Sequence, residues 1–175
     1  GAMCLVTGDR HEAEEIVQEA YLRLLERWDR VGSLDDPEGY LFRTAMNVFR
    51  NRYRRAVISV RRAIAIPLSV KFRLGLDADR SNFVELGRIC EAEGADVVAL
   101  HARTARQMFS GAAAWEEIAR LKAVLAIPVV GNGDLLFQHE IQAALARSGC
   151  AGVMVARGAL IKPWLFREAT EGDFH

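Results

Sequence analysis

The sequence contains few cysteines and no long apolar run. Its 175 residues include three cysteines, Cys4, Cys90 and Cys150, and no pair of them has CxxC spacing. An odd, scattered set of this kind excludes a disulfide framework and a zinc site, and it fits a reducing cytoplasm. No apolar segment reaches the roughly 18 residues that a membrane-spanning helix needs, and no pattern typical of a secretory leader opens the chain. The sequence predicts a cytoplasmic globular protein with neither a metal ion nor a membrane as partner.

Net charge is absent from the chain as a whole, but charge is distributed unevenly along it. The 23 basic residues balance 23 acidic ones. Residues 1–38 contain 4 basic and 10 acidic residues, residues 39–62 contain 7 and none, and residues 63–175 contain 12 and 13. This asymmetry predicts an acidic segment, a basic segment and a balanced remainder, and it is more informative than the total.

Two amphipathic helices are predicted before residue 60. The first carries an apolar stripe at helical spacing over about five turns, formed by Ile16, Val17, Ala20, Tyr21, Leu24, Leu25 and Trp28. The second begins at Pro37, because Asp36 is a suitable N-cap and proline is favoured at the first helical position, and it is expected to end at about Arg55. Its basic residues are Arg43, Arg50, Arg52, Arg54 and Arg55. Unopposed arginines on one helix suit a phosphate backbone, although a solvated basic face is the alternative.

These two segments resemble a known family. The stretches "GDRHEAEEIVQEAYLRLLERWDRV" and "LDDPEGYLFRTAMNVFRNRYRR" are similar to region 2 of the extracytoplasmic-function sigma factors over residues 8–55. In that family the acidic helix docks on RNA polymerase and the next helix contacts promoter DNA. The resemblance implies that the residues facing polymerase are Glu14, Glu15, Gln18 and Glu19. It also implies that the residues facing DNA are Tyr40, Arg43, Asn47, Arg50, Asn51 and Arg54.

The resemblance to sigma factors has two departures. The preceding helix of region 2 and the region 4 domain of that family have no counterpart in the sequence. We therefore expect the basic block to bind nucleic acid loosely and without sequence preference.

The second part of the chain predicts a parallel sheet. Four aliphatic runs, "IPLSVKFRL", "ADVVALHAR", "IPVVGNGD" and "AGVMVARGA", alternate with helical patterns. Continuous apolar strands that alternate with helices indicate an α/β fold with a covered parallel sheet. We predict a helical segment over residues 4–60, followed by a four-stranded (βα)4 half of a TIM barrel over residues 61–175. The join is expected at residues 56–65, where the helical pattern fails, and residues 1–3 are interpreted as a cloning remnant.

Polar side chains stand at or just after the carboxyl ends of all four predicted strands. They are Lys71, Arg73, His101, Arg103, Asn132, Asp134 and Arg157. This edge is where α/β barrels keep their chemistry, so the repeated placement indicates a ligand site. The sequences "GNGD" at 131–134 and "ARGA" at 156–159 place glycines where backbone N–H groups can approach an anion without an intervening Cβ. These two loops predict a cradle for phosphate or sulfate.

The same segment resembles a second family. With "VKFRLG", "LHARTARQMFSGAAAW" and "KPWLF" in this order, residues 66–168 are similar to the C-terminal half of the catalytic barrel of tRNA-dihydrouridine synthases. That family binds FMN, takes a hydride from NADPH and delivers it to a uracil in tRNA. The resemblance implies that Lys71 lies by the pyrimidine side of the flavin and that His101 lines its site. The residues implied at the ribityl phosphate are Asn132, Gly133, Asp134, Arg157 and Gly158.

Three further residues are implied on the loop that approaches cofactor and substrate. They are Arg103, Thr104 and Gln107. A purely structural role is the alternative for Gln107, and equally for Trp115 and Trp164, because both tryptophans are flanked by apolar residues that pack helices.

The resemblance to the synthases also has departures. Four strands are predicted where a TIM barrel has eight. The family's catalytic cysteine, which protonates the uracil, is matched by neither Cys90 nor Cys150, so no catalytic residue is assigned. We expect a chimera of two incomplete domains with weak FMN binding and no turnover. A flavin-dependent oxidoreductase of the synthase type and a DNA- or polymerase-binding module are the alternatives.

Open strand edges predict self-association. A four-stranded half-barrel has two such edges and an uncovered inner face, predicted to be lined by Val70, Phe72, Val98, Leu100, Val130 and Val153. Unpaired edges and an apolar face invite another chain, and a twofold dimer is the simplest closed arrangement. The alternative is that the helices of residues 10–55 cover the inner face within one chain.

Overall fold

A computed structural model describes residues 10–78 and 81–171 of the chain. The interpretation of residues 1–3 as a cloning remnant lies outside these ranges. The chain divides into two compact units, residues 1–59 and residues 60–175. None of the helices within the described ranges is long and apolar enough to cross a membrane.

The helical unit is built around two helices and a short connecting one. Helix α1 spans Arg10–Leu25, α2 spans Trp28–Val31 and α3 begins at Pro37. The backbone N–H of Gly39 donates to Asp36 Oδ1 at 2.7 Å, which confirms Asp36 as the N-cap. The core of the unit joins small and apolar residues of α1 to those of α3, namely Ala13, Ile16, Ala20, Ala45, Val48 and Phe49.

The predicted stripe of the first helix is only partly buried. Ile16, Ala20 and Leu24 are buried, whereas Tyr21, Leu25 and Trp28 are about half exposed or more. The expected single helix ends at Leu25, because Arg27 has a φ of −121° that leaves the helical region. Trp28 therefore starts a separate turn instead of extending the stripe.

Helix α3 runs to Ala63, eight residues beyond the predicted end at Arg55. The helix thus ends inside residues 56–65, where the join was expected, and it continues through most of that segment because residues 56–63 contain neither glycine nor proline and Val57 is buried. Arg61 and Arg62 lie in the last turn, where cations favour the negative end of the helix dipole. The Arg61 guanidinium also donates to the carbonyls of Ile64 and Ile66 just past the helix.

The second unit alternates strands and helices as predicted. Its strands are β1 Ser69–Arg73, β2 Val97–His101, β3 Val129–Asn132 and β4 Gly152–Met154. Helices α4 Phe83–Ala92, α5 Trp115–Val124 and α6 Gln138–Ser148 follow the first three strands, and α7 Arg157–Ile161 and α8 Leu165–Glu171 follow the fourth. All pairs are parallel and the strand order is β1-β2-β3-β4. The predicted α/β fold, with helices before a four-stranded half of a TIM barrel, is confirmed.

One face of the sheet packs against helices. A Cβ on Gly131 would lie 2.4 Å from the Trp115 ring and 3.1 Å from Ile118, so this side of β3 faces α5. The pairing register puts Val98 and Leu100 on the same side as Gly131, and both are fully buried. Because side chains alternate along a strand, their neighbours in sequence face the other way.

The prediction of an apolar inner face was therefore wrong. Val70, Phe72 and Val153 share the helix-covered face with Val98 and Leu100, and of the predicted set only Val130 lies on the opposite face. The residues that the register places on that opposite face are Ser69, Lys71, Arg73, Val97, Ala99, His101, Val130, Asn132, Gly152 and Met154. The face away from the helices is thus polar and cationic toward the carboxyl ends of the strands.

Candidate functional site

A row of four side chains crosses the sheet at its carboxyl edge. Register pairs join Arg73 to His101, His101 to Asn132, and Asn132 to Met154. The four lie on the face away from the helices, at the edge where parallel sheets bind ligands. Lys71 lies two residues before Arg73 on the same face and is exposed. Desolvation and the charge of Arg73 lower the pKa of Lys71.

A cleft of about 80 Å³ opens beside this row. Its lining includes five residues that the sequence predicted, His101, Asn132, Gly133, Asp134 and Arg157, together with Arg103 from the predicted loop set. Lys71, Thr104, Gln107 and Gly158 were predicted at the site but are not part of this lining. The remaining lining residues are Phe109, Leu135, Leu136, Met154 and Ala156.

His101 is buried at the cleft and holds a neutral ring. Burial, together with the charges of Arg73, Lys71 and Arg103, lowers the pKa of His101 to about 4, and the opposing effect of Asp134 is smaller. The imidazole lies beside Gly133, since a Cβ on Gly133 would be 3.6 Å from Cδ2 and 3.9 Å from Nε2 of His101. A neutral imidazole can accept or donate one hydrogen bond without adding charge.

The loop after β3 is shaped by its backbone. Gly133 has a φ of +137°, and a Cβ there would lie 2.6 Å from Ala113 Cβ. The next residue, Asp134, has a φ of +53°. Asn132 donates from Nδ2 to the carbonyl of Met154 at 2.7 Å, and the indole N–H of Trp115 donates to the carbonyl of Gly133 at 3.1 Å. These contacts fix the backbone of Gly133, which has no side chain, in the lining of the cleft.

Asp134 stands between two arginines. Its Oδ2 accepts from Arg103 Nη2 at 2.6 Å and from the backbone N–H of Ala113 at 2.9 Å, and its Oδ1 lies 3.5 Å from Arg157 Nη2. Burial alone would raise the pKa of Asp134, but the hydrogen bonds from Arg103 and Ala113 and the charges of Arg103 and Arg157 lower it overall. The carboxylate is thus fixed in its charged form.

The other predicted residues have local partners. Gln107 Oε1 accepts from the backbone N–H of Thr104 at 2.8 Å, and the Gln107 N–H donates to Thr104 Oγ1, so the two close a turn on each other. Gly158 is buried, and a Cβ there would lie 2.3 Å from the Leu135 carbonyl oxygen. Its missing side chain therefore permits the close approach of α7 to the loop after β3. Trp164 is 57% exposed.

The residues predicted to face DNA lie on α3 in several environments. Arg52 forms ion pairs with Glu15 at 2.8 Å and with Glu19 at 3.8 Å, so part of the basic block is neutralised by α1. Arg50 donates to Asn47 Oδ1 at 3.0 Å. Arg43 lies 3.9 Å from Asp36, Tyr40 is half-buried, and Asn51, Arg54 and Arg55 are exposed.

Sequence reasoning missed Phe109 and Met154 as lining residues. The Arg157 guanidinium lies over the Phe109 ring, 5.4 Å from its centroid. Phe109 belongs to a loop 48 residues before Arg157 in the chain, so no local pattern indicates the contact. Met154 could have been found, because it belongs to the fourth aliphatic run and ends β4 at the carboxyl edge of the sheet.

Comparisons with known proteins identify both parts of the chain. The dihydrouridine synthase (Dus) family model matches residues 49–175, more than half of the chain, and the Sigma-70 region 2 model matches residues 2–57. A probable tRNA-dihydrouridine synthase of Mycobacterium tuberculosis (strain CDC 1551 / Oshkosh) is 54% identical over 104 residues, which cover 59% of this chain and 27% of the relative. Its counterpart in Mycobacterium leprae (strain TN) is 49% identical over 114 residues, which cover 65% of this chain and 30% of the relative.

The matched region is a part of these relatives. The chain spans about a third or less of the length of these two curated relatives. The solved nitroalkane oxidase from Streptomyces ansochromogenes aligns with 80% of this chain and 45% of its own, at 18% identity and a TM-score of 0.38. The chain belongs to the dihydrouridine synthase family, and it carries a segment that matches Sigma-70 region 2 ahead of the synthase region.

Proposed function

We propose that the half-barrel unit binds the phosphate group of a small ligand in the cleft beside His101, and that the ribityl phosphate of FMN is its natural source. The observation that carries the proposal is the bare backbone of Gly133 next to the Arg157 guanidinium at the mouth of one cleft. Phosphate suits such a place, because backbone approach and a cation both favour a compact anion. The similarity to tRNA-dihydrouridine synthases supports the choice of FMN.

The size of the cleft limits what this unit holds. Sites that enclose whole small-molecule ligands have volumes of about 300 Å³ or more. A cleft of about 80 Å³ accommodates a phosphate group but not the ring system of a flavin. This cleft therefore fits the phosphate end of FMN but does not enclose the flavin ring, so FMN binding is weak.

We further propose that the described residues do not catalyse turnover on tRNA. Cys90 lies buried in α4, and burial raises the pKa of its thiol to about 11. Cys150 precedes β4, and its thiol donates to the carbonyl of Gly152 at 3.1 Å. Neither cysteine lines the cleft, so neither supplies the acid that the resemblance requires. An assay for uridine reduction in tRNA, with NADPH and added FMN, is expected to show no product above a protein-free control.

Titration with inorganic phosphate tests the proposal directly. Backbone amide signals of Gly133, Asp134 and Arg157 are expected to shift together with one saturating curve in ¹H–¹⁵N spectra. Arg157→Gln is expected to weaken binding about tenfold or more, since a hydrogen bond to a charged group contributes about 1.5–3 kcal/mol. Arg88→Gln, an exposed arginine on α4, is the matched control and is expected to bind normally. Equal weakening in both variants, or shifts elsewhere only, would contradict the site.

A second candidate function is nucleic-acid binding by the helical unit. It is favoured by the exposed Arg43 and Arg55 on α3 and by the Sigma-70 region 2 match. Binding is expected to be equal for promoter and scrambled DNA and to fall steeply as salt rises, because it depends on phosphate contacts. The double variant Arg43→Gln/Arg55→Gln should reduce both the affinity and the salt slope, whereas Arg88→Gln should not. A clear preference for promoter DNA at physiological salt would contradict this description.

A further inference from the structure

Arg103 joins the cleft to the loop of residues 104–114. The arginine is 2% exposed, although its side chain carries a full charge. Its Nε donates to the Ser110 carbonyl at 3.4 Å, and its Nη2 donates to the Gly111 carbonyl and to Asp134 Oδ2. A buried guanidinium keeps its charge when acceptors satisfy its donors. Nε and Nη2 of Arg103 are therefore engaged in holding the loop and Asp134, and the residue also lines the cleft.

Asp134 is the shared partner of the loop and of the cleft. On the loop side it accepts from Arg103 and from the Ala113 N–H, and on the cleft side it lies 3.5 Å from Arg157. Arg157 also contacts the loop directly, because its guanidinium lies over the ring of Phe109, which belongs to the loop. The loop and the anion-binding arginine are thus connected at two points.

The two ion pairs of Asp134 differ in length and in exposure to solvent. Asp134 lies 2.6 Å from Arg103, whose side chain is buried, and 3.5 Å from Arg157, whose side chain is 57% exposed. An anion in the cleft competes with Asp134 for Arg157, and the longer, more exposed pair is the one that yields. The carboxylate is then left to Arg103 and Ala113, which strengthens the attachment of the loop.

We propose that Arg103 is a positioning residue that couples occupancy of the cleft by an anion to the order of loop 104–114. The proposal rests on the phosphate binding proposed above. Because coupling between two sites is reciprocal, loss of the contacts from Arg103 to the loop must also weaken phosphate binding.

Hydrogen exchange of the loop amides tests the coupling in the full chain, with inorganic phosphate as the probe. In the wild type, saturating phosphate is expected to slow exchange of residues 105–111 about fivefold or more, the lower end of typical couplings. In Arg103→Gln, exchange should be fast with and without phosphate, and phosphate affinity should fall by the same factor. Arg103→Lys, which keeps the charge with a different donor geometry, should be intermediate. Arg106→Gln, an exposed loop arginine paired with Asp77, is the control and should behave as the wild type.

A readout that does not need phosphate separates coupling from general loosening. Arg103→Gln removes one of the charges that lower the pKa of His101, so that pKa should rise in an NMR titration, while Arg106→Gln should leave it unchanged. Phosphate binding to the wild type without any change in loop exchange would overturn the coupling and leave the proposed function standing. Failure of phosphate to bind the wild type would overturn both. Retained phosphate-dependent protection in a folded Arg103→Gln variant would overturn the role of Arg103 alone.

Discussion

A buried histidine among cations is the most unusual residue of the synthase region. Protonating His101 would place another positive charge beside Lys71, Arg73 and Arg103 with little water to screen it. The ring therefore stays neutral in the folded protein under conditions in which an unfolded chain would protonate it. This difference makes folding stability depend on pH.

The pH dependence has a definite sign. Above the ordinary pKa of 6.5 the ring is neutral in both states, so His101 makes no pH-dependent difference. Between 6.5 and about 4 only the unfolded chain takes up the proton, so the free energy of unfolding falls as pH falls, by about 3 kcal/mol in total. Urea midpoints of the wild type and His101→Gln, measured across this window, should show a steeper loss in the wild type. Parallel curves would contradict the neutral buried ring.

Substitution by alanine is expected to have different effects at two glycines of the synthase region. A Cβ on Gly158 would lie 2.3 Å from the Leu135 carbonyl oxygen, whereas a Cβ on Gly152 would meet no atom within 4 Å. Gly158→Ala should therefore lower the free energy of unfolding by about 1–3 kcal/mol, the usual cost of overpacking. Gly152→Ala should change it by less than about 0.5 kcal/mol. Chemical denaturation measures both, and similar losses in the two variants would show that the close approach at Gly158 is not tight.

At the scale of elements, sequence reasoning succeeded where one pattern dominates. The strands were predictable because each is a continuous aliphatic run, and the position of His101 and Asn132 at the carboxyl edge of the sheet was predictable because each ends such a run. Which face of each strand meets the helices was not predictable, since Val98, Ala99 and Leu100 are all apolar and the run has no alternation. Arg103 and Asp134, which form an ion pair, are 31 residues apart in the chain, so only the folded sheet brings the two side chains together.

The end of α3 depends on Arg61. Its guanidinium donates to Asp96 Oδ2 at 2.8 Å and to the carbonyls of Ile64 and Ile66, and Asp96 Oδ2 also accepts from the Leu68 N–H at 2.7 Å. Arg61→Ala should lower the free energy of unfolding by about 1–2 kcal/mol, because partial exposure screens the ion pair. Arg62→Ala, the exposed neighbour, is the control and should be close to neutral. Thermal and urea midpoints compare them, and equal shifts would show that the contacts of Arg61 add nothing.

At the scale of the molecule, the sheet leaves β1 and β4 as edge strands within the described residues. We propose that the chain forms a homo-oligomer through these edges, because unpaired strand edges recruit further strands. The adjoining face carries Lys71 and Arg73, so like charges oppose association at low salt. Light scattering should give a mass above 19.5 kDa that rises with protein concentration and with salt. A mass of one chain at every concentration and salt would exclude the oligomer.

The central proposal is that the cleft beside His101 holds the phosphate end of FMN and does not enclose the flavin ring. Visible absorption of the purified chain after incubation with excess FMN and exhaustive dialysis tests it most directly. We predict that the flavin bands are lost on dialysis, because a cleft of about 80 Å³ holds the phosphate group but not the ring. Retention of one FMN per chain after dialysis would contradict the account.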